Sequence, residues 1–261
     1  MSIISKLFDQ QAKVYPADIG EDYVQNRKWK LVEKHRTTNG NAIDVGAATG
    51  RHTLNLGAES VDVVAVDPSW KMIVELTNST KTLNREKSIL PCVAGLPDLP
   101  FPSRSFDLVY CFSTLLLLST KEQEQSLKEL ARLVRVNGVL VVDISNEHSL
   151  AIRYWRRHYR TRGLAGVFGS TVSKVGTILN RQQFEIVSTE AHGALTQFLL
   201  FPGLQHVPWL VRLVRGHRDS PGWDSVVSRF VPGLAERWFV VSRPMAINEQ
   251  NTEAYSTVSH G

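Results

Sequence analysis

Residues Ala42 to Gly50 read Ala-Ile-Asp-Val-Gly-Ala-Ala-Thr-Gly, and seventeen residues beyond Gly50 the run Val63-Val64-Ala65-Val66 ends in Asp67. An apolar run that stops at a small-residue turn, followed by a second apolar run that stops at an acid, is the pattern of a parallel βαβ unit. Such a unit puts the turn and the acid on the same edge of the sheet. An adenosine-bearing ligand then lies across the turn with its ribose hydroxyls on Asp67. The spacing Gly46-Ala47-Ala48-Thr49-Gly50 is G-x-x-x-G, not the G-x-G-x-x-G that closes on a pyrophosphate. Asp44, two residues before the first glycine, would repel a pyrophosphate and receive an ammonium group. The expected ligand is cationic and carries no phosphate.

Four segments in order resemble the class I S-adenosylmethionine-dependent methyltransferases, in their small-molecule, UbiE-like branch. The turn resembles the family's Asp-Val/Leu-Gly-x-Gly-Thr-Gly motif, with Ala48 in place of the middle glycine. Asp67-Pro68-Ser69-Trp70-Lys71-Met72-Ile73 resembles the acid-to-Met segment that follows the second strand. Leu99-Pro100-Phe101 with Ser105-Phe106-Asp107-Leu108-Val109 resembles the approach to the fourth strand, and Leu127 to Leu140 resembles the helix and turn before the fifth. Together they cover about Asn41 to Ser145. The resemblance implies S-adenosyl-L-methionine as cofactor and S-adenosyl-L-homocysteine as product. It carries over a binding set of Asp44, Gly46, Ala47, Gly50, Asp67, Pro68, Met72, Gly95, Leu96 and Cys111, with Tyr15 reaching the methionine carboxylate from an N-terminal cap. Gly95 stands where relatives place an adenine-binding Asp, so adenine is left to backbone groups and neighbours such as Leu96.

Alternating strands and helices predict an α/β fold with a Rossmann-like, seven-stranded doubly wound sheet whose last strand is antiparallel. The expected strands are 41–45, 61–66, 88–93, 106–111, 139–144, 184–190 and 237–242. The expected helices are 3–13, 21–36, one from Gly50, 69–79, 121–136, 153–160 and 171–179, with Asn137-Gly138 ending the fifth of these. The expected organisation is a single domain over 1–244. It comprises a helical cap (1–38), a core (39–194 and 235–244) and a lid inserted at 195–234, with a disordered polar tail at 245–261. About forty residues between the last two strands are too many for a structureless loop, and their aromatics read as a cover for the substrate crevice.

Methyl transfer needs a nucleophile held in line with the C–S bond, and a base only if the acceptor must lose a proton. Leu116 and Leu117 fill the positions after the fourth strand where many relatives carry histidines. His148, just beyond the fifth strand, is then the candidate catalytic base, ahead of His192, His206 and His217. The expected acceptor is a small molecule, an oxygen of a hydrophobic, aromatic or glycosylated metabolite of the natural-product kind. Two alternatives stay open: an RNA or protein methyltransferase, and a non-catalytic cofactor-binding or scaffold subunit. The stretch Arg153 to Arg162, five arginines among aromatics and a histidine, either grips phosphate or forms a solvated helix face with Trp155 and Tyr159 turned inward. Tyr110-Cys111-Phe112-Ser113 lacks the Asp/Asn-Pro-Pro-aromatic signature of base-directed enzymes, which argues against nucleic acid as a partner.

The net charge of +5 suits an anionic partner. No apolar run approaches the roughly 18 residues of a transmembrane helix, although peripheral membrane contact is compatible. The opening residues hold no signal-peptide core, and two cysteines, Cys92 and Cys111, fall on separated strands. These features read as a reduced cytoplasmic protein, monomeric or homodimeric, with no metal site.

Overall fold

The computed structural model describes residues 2–59 and 61–246. The predicted tail beyond residue 246 lies outside the described residues.

Two helices precede the sheet, α1 (Ile3–Gln11) and α2 (Tyr23–His35), capped by the side chains of Ser2 and Asp22. Then follow β1 (Asn41–Val45), α3 (Thr53–Leu56), β2 (Asp62–Asp67), α4 (Trp70–Thr82), β3 (Ile89–Val93) and β4 (Phe106–Cys111). The second half holds α5 (Thr120–Leu133), β5 (Val134–Ser145), α6 (Leu150–Arg160), α7 (Val172–Asn180) and β6 (Phe184–His192). The 195–234 segment contains α8 (Pro208–Arg215), a small hairpin of β7 (Gly216–His217) and β8 (Ser220–Pro221), and α9 (Trp223–Phe230). Finally β9 (Arg237–Pro244) returns to the sheet.

The sheet order is β3-β2-β1-β4-β5-β9-β6, parallel except for β9, which runs antiparallel to both β5 and β6. This is the expected seven-stranded Rossmann-like sheet. The direction of winding reverses between β1 and β4, which makes their carboxyl ends the natural ligand crevice. Side chains alternate between two cores. Ile43, Val109 and Leu140 face α5 and α7, whereas Ala42, Leu108 and Val141 face α2 and α4. Cover on both faces explains why the central strands read as near-continuous apolar runs. Cys92 and Cys111 are free thiols, with β2 and β1 between their strands.

Two sequence expectations need correction. The long helix ends at Leu133, not Val136, and residues 134–138 already belong to β5. Val134 pairs with Phe106, and Arg135 reaches Asp107 at 2.7 Å. Gly138 is needed there for close approach rather than for ending a helix, since a Cβ would meet the Phe106 and Asp107 carbonyls at 3.0 Å. The helix after the glycine turn is also only one turn long. It starts at Thr53 and stops at Gly57, which packs so tightly on Ile89 that any side chain would collide.

Candidate cofactor and acceptor site

β1 delivers its turn directly against β2. The N–H groups of Gly46 and Ala47 both donate to the Val66 carbonyl, at 2.8 and 2.9 Å. Gly46 has φ of 84°, and a Cβ there would collide with the Thr114 hydroxyl. Gly50 has φ of 94° and lies against Leu76. Ala48, between them, is also left-handed with φ of 49°. The backbone therefore demands glycine-like freedom at three positions, and the sequence supplies it at two.

Asp67 ends β2 at this turn. Its two oxygens accept from Ala48 N–H at 3.0 Å and Ser69 N–H at 2.8 Å, fixing the carboxylate beside the crevice. Burial pushes it up to about 6 despite those bonds. Asp44 is buried more deeply. Burial pushes its carboxyl up to about 7, and the Thr53 hydroxyl donates to it at 2.6 Å. Two carboxyls held above their usual range favour a ligand that brings positive charge or hydroxyl donors.

The N-terminal cap closes over this edge. Asp9 accepts from Ser69 Oγ at 2.5 Å and from Lys71 N–H at 3.1 Å, fastening α1 to the start of α4. The Thr49 hydroxyl donates to the Pro16 carbonyl at 3.0 Å. The Tyr15 ring packs edge-on against Phe8, with the Arg51 guanidinium 6.0 Å from its centre. Burial raises the Tyr15 phenol, and Arg51 opposes that rise. The Nε of Arg51 and the Nδ1 of His52 are buried without a hydrogen-bond partner. Arg51 was missed at the sequence level, because an arginine after a glycine turn has no distinctive spacing.

The structure brings Asp44, Gly46, Ala47, Gly50, Asp67, Pro68 and Tyr15 to one edge. Gly95 joins them, its Cα side against Pro68 such that a Cβ would sit at 3.0 Å from the proline ring. Met72 and the Cys111 side chain are fully buried, so neither offers a side-chain surface to a ligand. His148 does not join the crevice. Its side chain is 72% exposed, with Nε2 at 3.4 Å from Glu147. The aromatics of the arginine-rich helix α6 pack on one another, Tyr154 and His158 stacked and Trp155 edge-on to both. Arg156 and Arg160 donate to the Val167 and Ala165 carbonyls.

A buried charge cluster underlies the β4–β5 end, assembled from distant stretches. Lys28 of α2 is 1% exposed, with Nζ at 2.8 Å from both Asp143 Oδ2 and Ser113 Oγ. Arg237 lies 3.4 Å from Asp143 and 2.8 Å from Glu236. Burial lowers Lys28; burial would raise Asp143, but Lys28 and Arg237 outweigh it and hold the carboxyl down. The one sequence signal was Asp143 itself, an acid inside a buried strand that needs a partner.

A cavity of about 620 Å³ opens beside this cluster. Tyr23, Trp155, His192, Arg212, Arg215 and Arg237 contribute to its walls. The Trp155 indole N–H is buried without a partner. His192 stands at the far side. Its Nε2 is 2.7 Å from Glu190, which Arg27 grips through both oxygens at 2.9 and 2.7 Å. Burial would raise Glu190, but the His192 and Arg27 hydrogen bonds hold it at about 2. Three strand spacings separate β6 from β4, about 14 Å, which puts His192 at the outer wall rather than over the glycine turn.

Residues 43–142 match the family model described as a methyltransferase domain. This segment is a methyltransferase domain of the class I, S-adenosylmethionine-dependent kind. Its cofactor is accordingly S-adenosylmethionine. Demethylmenaquinone methyltransferase of Tropheryma whipplei (strain Twist) is 27% identical to this chain over 165 residues, covering 60% of the chain and 65% of the relative. The match thus spans less than two thirds of that relative. Among solved structures, the (4+2)-cyclase SpnF superposes with a TM-score of 0.64 at 15% identity, covering 94% of this chain and 93% of that one. The CcbJ methyltransferase from Streptomyces caelestis gives 0.61 at 15% identity, covering 92% and 98%. At such identities the structures speak for the fold alone, and the cyclase among them shows that this fold hosts more than one reaction.

Proposed function

We propose that this protein transfers a methyl group from S-adenosylmethionine to an oxygen of a hydrophobic, aromatic or glycosylated small molecule. The observation that carries the reading is the open cavity of about 620 Å³ at the β5–β9–β6 end of the sheet, walled by Tyr23, Trp155, His192 and three arginines together with Glu21, Asp22 and Glu236. That volume falls in the usual range for a metabolite site.

In this reading Asp67 holds the ribose hydroxyls, and the turn Gly46-Ala47-Ala48-Thr49-Gly50 passes beneath the amino-acid end. Asp44 offers a buried negative charge to the ammonium group, directly or through water, and Arg51 faces the carboxylate beneath the Tyr15 ring. Pro68, Gly95 and Leu96 flank the adenine, with Met72 and Cys111 supporting from the core. The cofactor supplies an activated sulfonium methyl. The protein's share is to orient the acceptor and exclude water, and orientation alone contributes up to about 7–11 kcal/mol. The 195–234 segment acts as a lid, and Trp155, whose N–H is buried without a partner, is a donor for an acceptor oxygen. The solvent-facing His148 is poorly placed for proton abstraction, which favours acceptors that ionise readily, such as phenols. Trp155 and Tyr159 are only partly exposed and Trp155 lines the cavity, which weighs against the RNA reading.

The test is release of S-adenosylhomocysteine on incubation with S-adenosylmethionine and a panel of phenols, quinols and glycosides. Turnover with a member of the panel is expected. Stimulation by RNA or protein alone would move the acceptor to those classes, and cofactor binding without turnover on any acceptor would favour a non-catalytic subunit.

A further inference from the structure

The outer face of the 195–234 segment gathers exposed aromatic rings. Trp209, Trp223 and Phe230 are 69%, 59% and 79% exposed. Trp209 and Leu213 are i and i+4 on α8; Trp223, Val226 and Phe230 follow one face of α9. Trp209, Leu213, Trp223 and Val226 also wall one shallow groove of about 520 Å³, so the two helices present a continuous apolar strip. Single exposed hydrophobics are ordinary, but a contiguous aromatic strip marks an interaction surface.

The 195–234 segment carries more positive than negative charge, with Arg212 in the wall of the groove itself. Residues 195–234 hold Arg212, Arg215, Arg218 and Arg229 against only two acids, Asp219 and Asp224. Asp224 is buried and accepts from the N–H groups of Gly193, Leu195 and Thr196. Asp219 pairs with Lys30 at 3.2 Å. The nearby Glu21 is engaged by His217 at 2.7 Å. None of the four arginines has an ion pair among the described residues. Exposed Trp and Phe ringed by arginine is the composition of a segment that lies in a membrane interface. A second copy would bring the same arginines against these.

We infer that the strip formed by α8 and α9 docks on an anionic lipid surface, with Trp209, Trp223 and Phe230 entering the headgroup boundary and Arg212, Arg218 and Arg229 meeting lipid phosphates. α8 also separates this strip from the acceptor cavity, since Arg212 contributes to both walls. Docking therefore sets the cavity beside the bilayer, where an apolar acceptor dissolves. The inference stands on the surface alone and does not require the proposed methyl transfer.

Sedimentation of the protein with vesicles tests it. Binding is expected to equimolar phosphatidylcholine and phosphatidylglycerol. It should weaken on the order of 100-fold on phosphatidylcholine alone, as about 1 kcal/mol per arginine over Arg212, Arg218 and Arg229 implies. High salt should reverse it. The double variant Trp209→Ser with Phe230→Ser should lose vesicle binding at least about tenfold while keeping wild-type affinity for S-adenosylhomocysteine by calorimetry, which separates docking from the cofactor site and from misfolding. Absence of vesicle binding overturns the inference. So does binding that ignores lipid charge, or a dimer in solution that the same double variant breaks.

Discussion

Ala48 is held at φ of 49°, a left-handed conformation that costs a non-glycine residue about 1–2 kcal/mol. Ala48→Gly removes that strain and gives back part of it through a freer unfolded chain. The net expectation is a gain of about 0.5–1 kcal/mol in denaturant unfolding, and an unchanged or lower midpoint would show that the turn is not strained. Asp44 makes a prediction of opposite character. Its carboxyl is raised to about 7 by burial, so the native state holds the proton more tightly than the unfolded chain does. That contribution is complete in acid and fades as pH rises through about 7. Asp44→Asn keeps an acceptor for Thr53 and removes the buried charge. Its stability relative to wild type should therefore grow with pH, by on the order of a few kcal/mol between about pH 4 and pH 8 without ligand. His52, pushed down to about 3 by burial and then by Lys28, has the reverse slope. It is common to both proteins and cancels in the difference. A difference in melting temperature that stays flat with pH would contradict the buried state of Asp44. If Asp44 receives the cofactor's ammonium group, S-adenosylmethionine should also bind more tightly to wild type as pH rises through the same range.

At the scale of elements, α2 is fastened to the sheet by two ion pairs, Arg27 to Glu190 on β6 and the buried Lys28 to Asp143 on β5. The Lys28 ammonium enters between β4 and β5, bonds Asp143 and Ser113, and sits 5.2 Å from the centre of the Phe112 ring. Removing one member of a buried pair leaves the other uncompensated, so Lys28→Met should cost about 3–5 kcal/mol. Adding Asp143→Asn to it should cost less than the sum of the single changes. Additive losses in a denaturant series would mean that the two residues act independently. This pairing shows where the sequence ran short. β1 and β4 were legible to the residue because both faces are covered and their apolar runs have sharp ends. The end of α5 was not, because Glu-Leu-Ala-Arg-Leu continues a helical period while the pairing of Val134 with Phe106 pulls the chain into the sheet. Lys28, Asp143 and Arg237 come from three distant stretches, and no local spacing announces a contact that only the fold creates.

Across the whole molecule, the division of labour follows the sheet. The β1–β2 half carries the turn, Asp44 and Asp67, and was readable as a motif because its residues are neighbours in sequence. The β5–β9–β6 half carries the cavity, Trp155, Arg237 and the 195–234 segment, whose chemistry depends on tertiary placement. His148 was selected by position after a strand, yet side-chain direction sends it to solvent. No helix among the described residues is long and apolar enough to cross a membrane, and the apolar strip on α8 and α9 is a surface feature. The most direct measurement is a crystal structure of the protein grown with S-adenosylhomocysteine. The account predicts density across the β1 turn, with the ribose hydroxyls on Asp67 and the sulfur facing the cavity near Trp155. Density placed elsewhere, or an Asp67 carboxylate that makes no contact with the sugar, would contradict it.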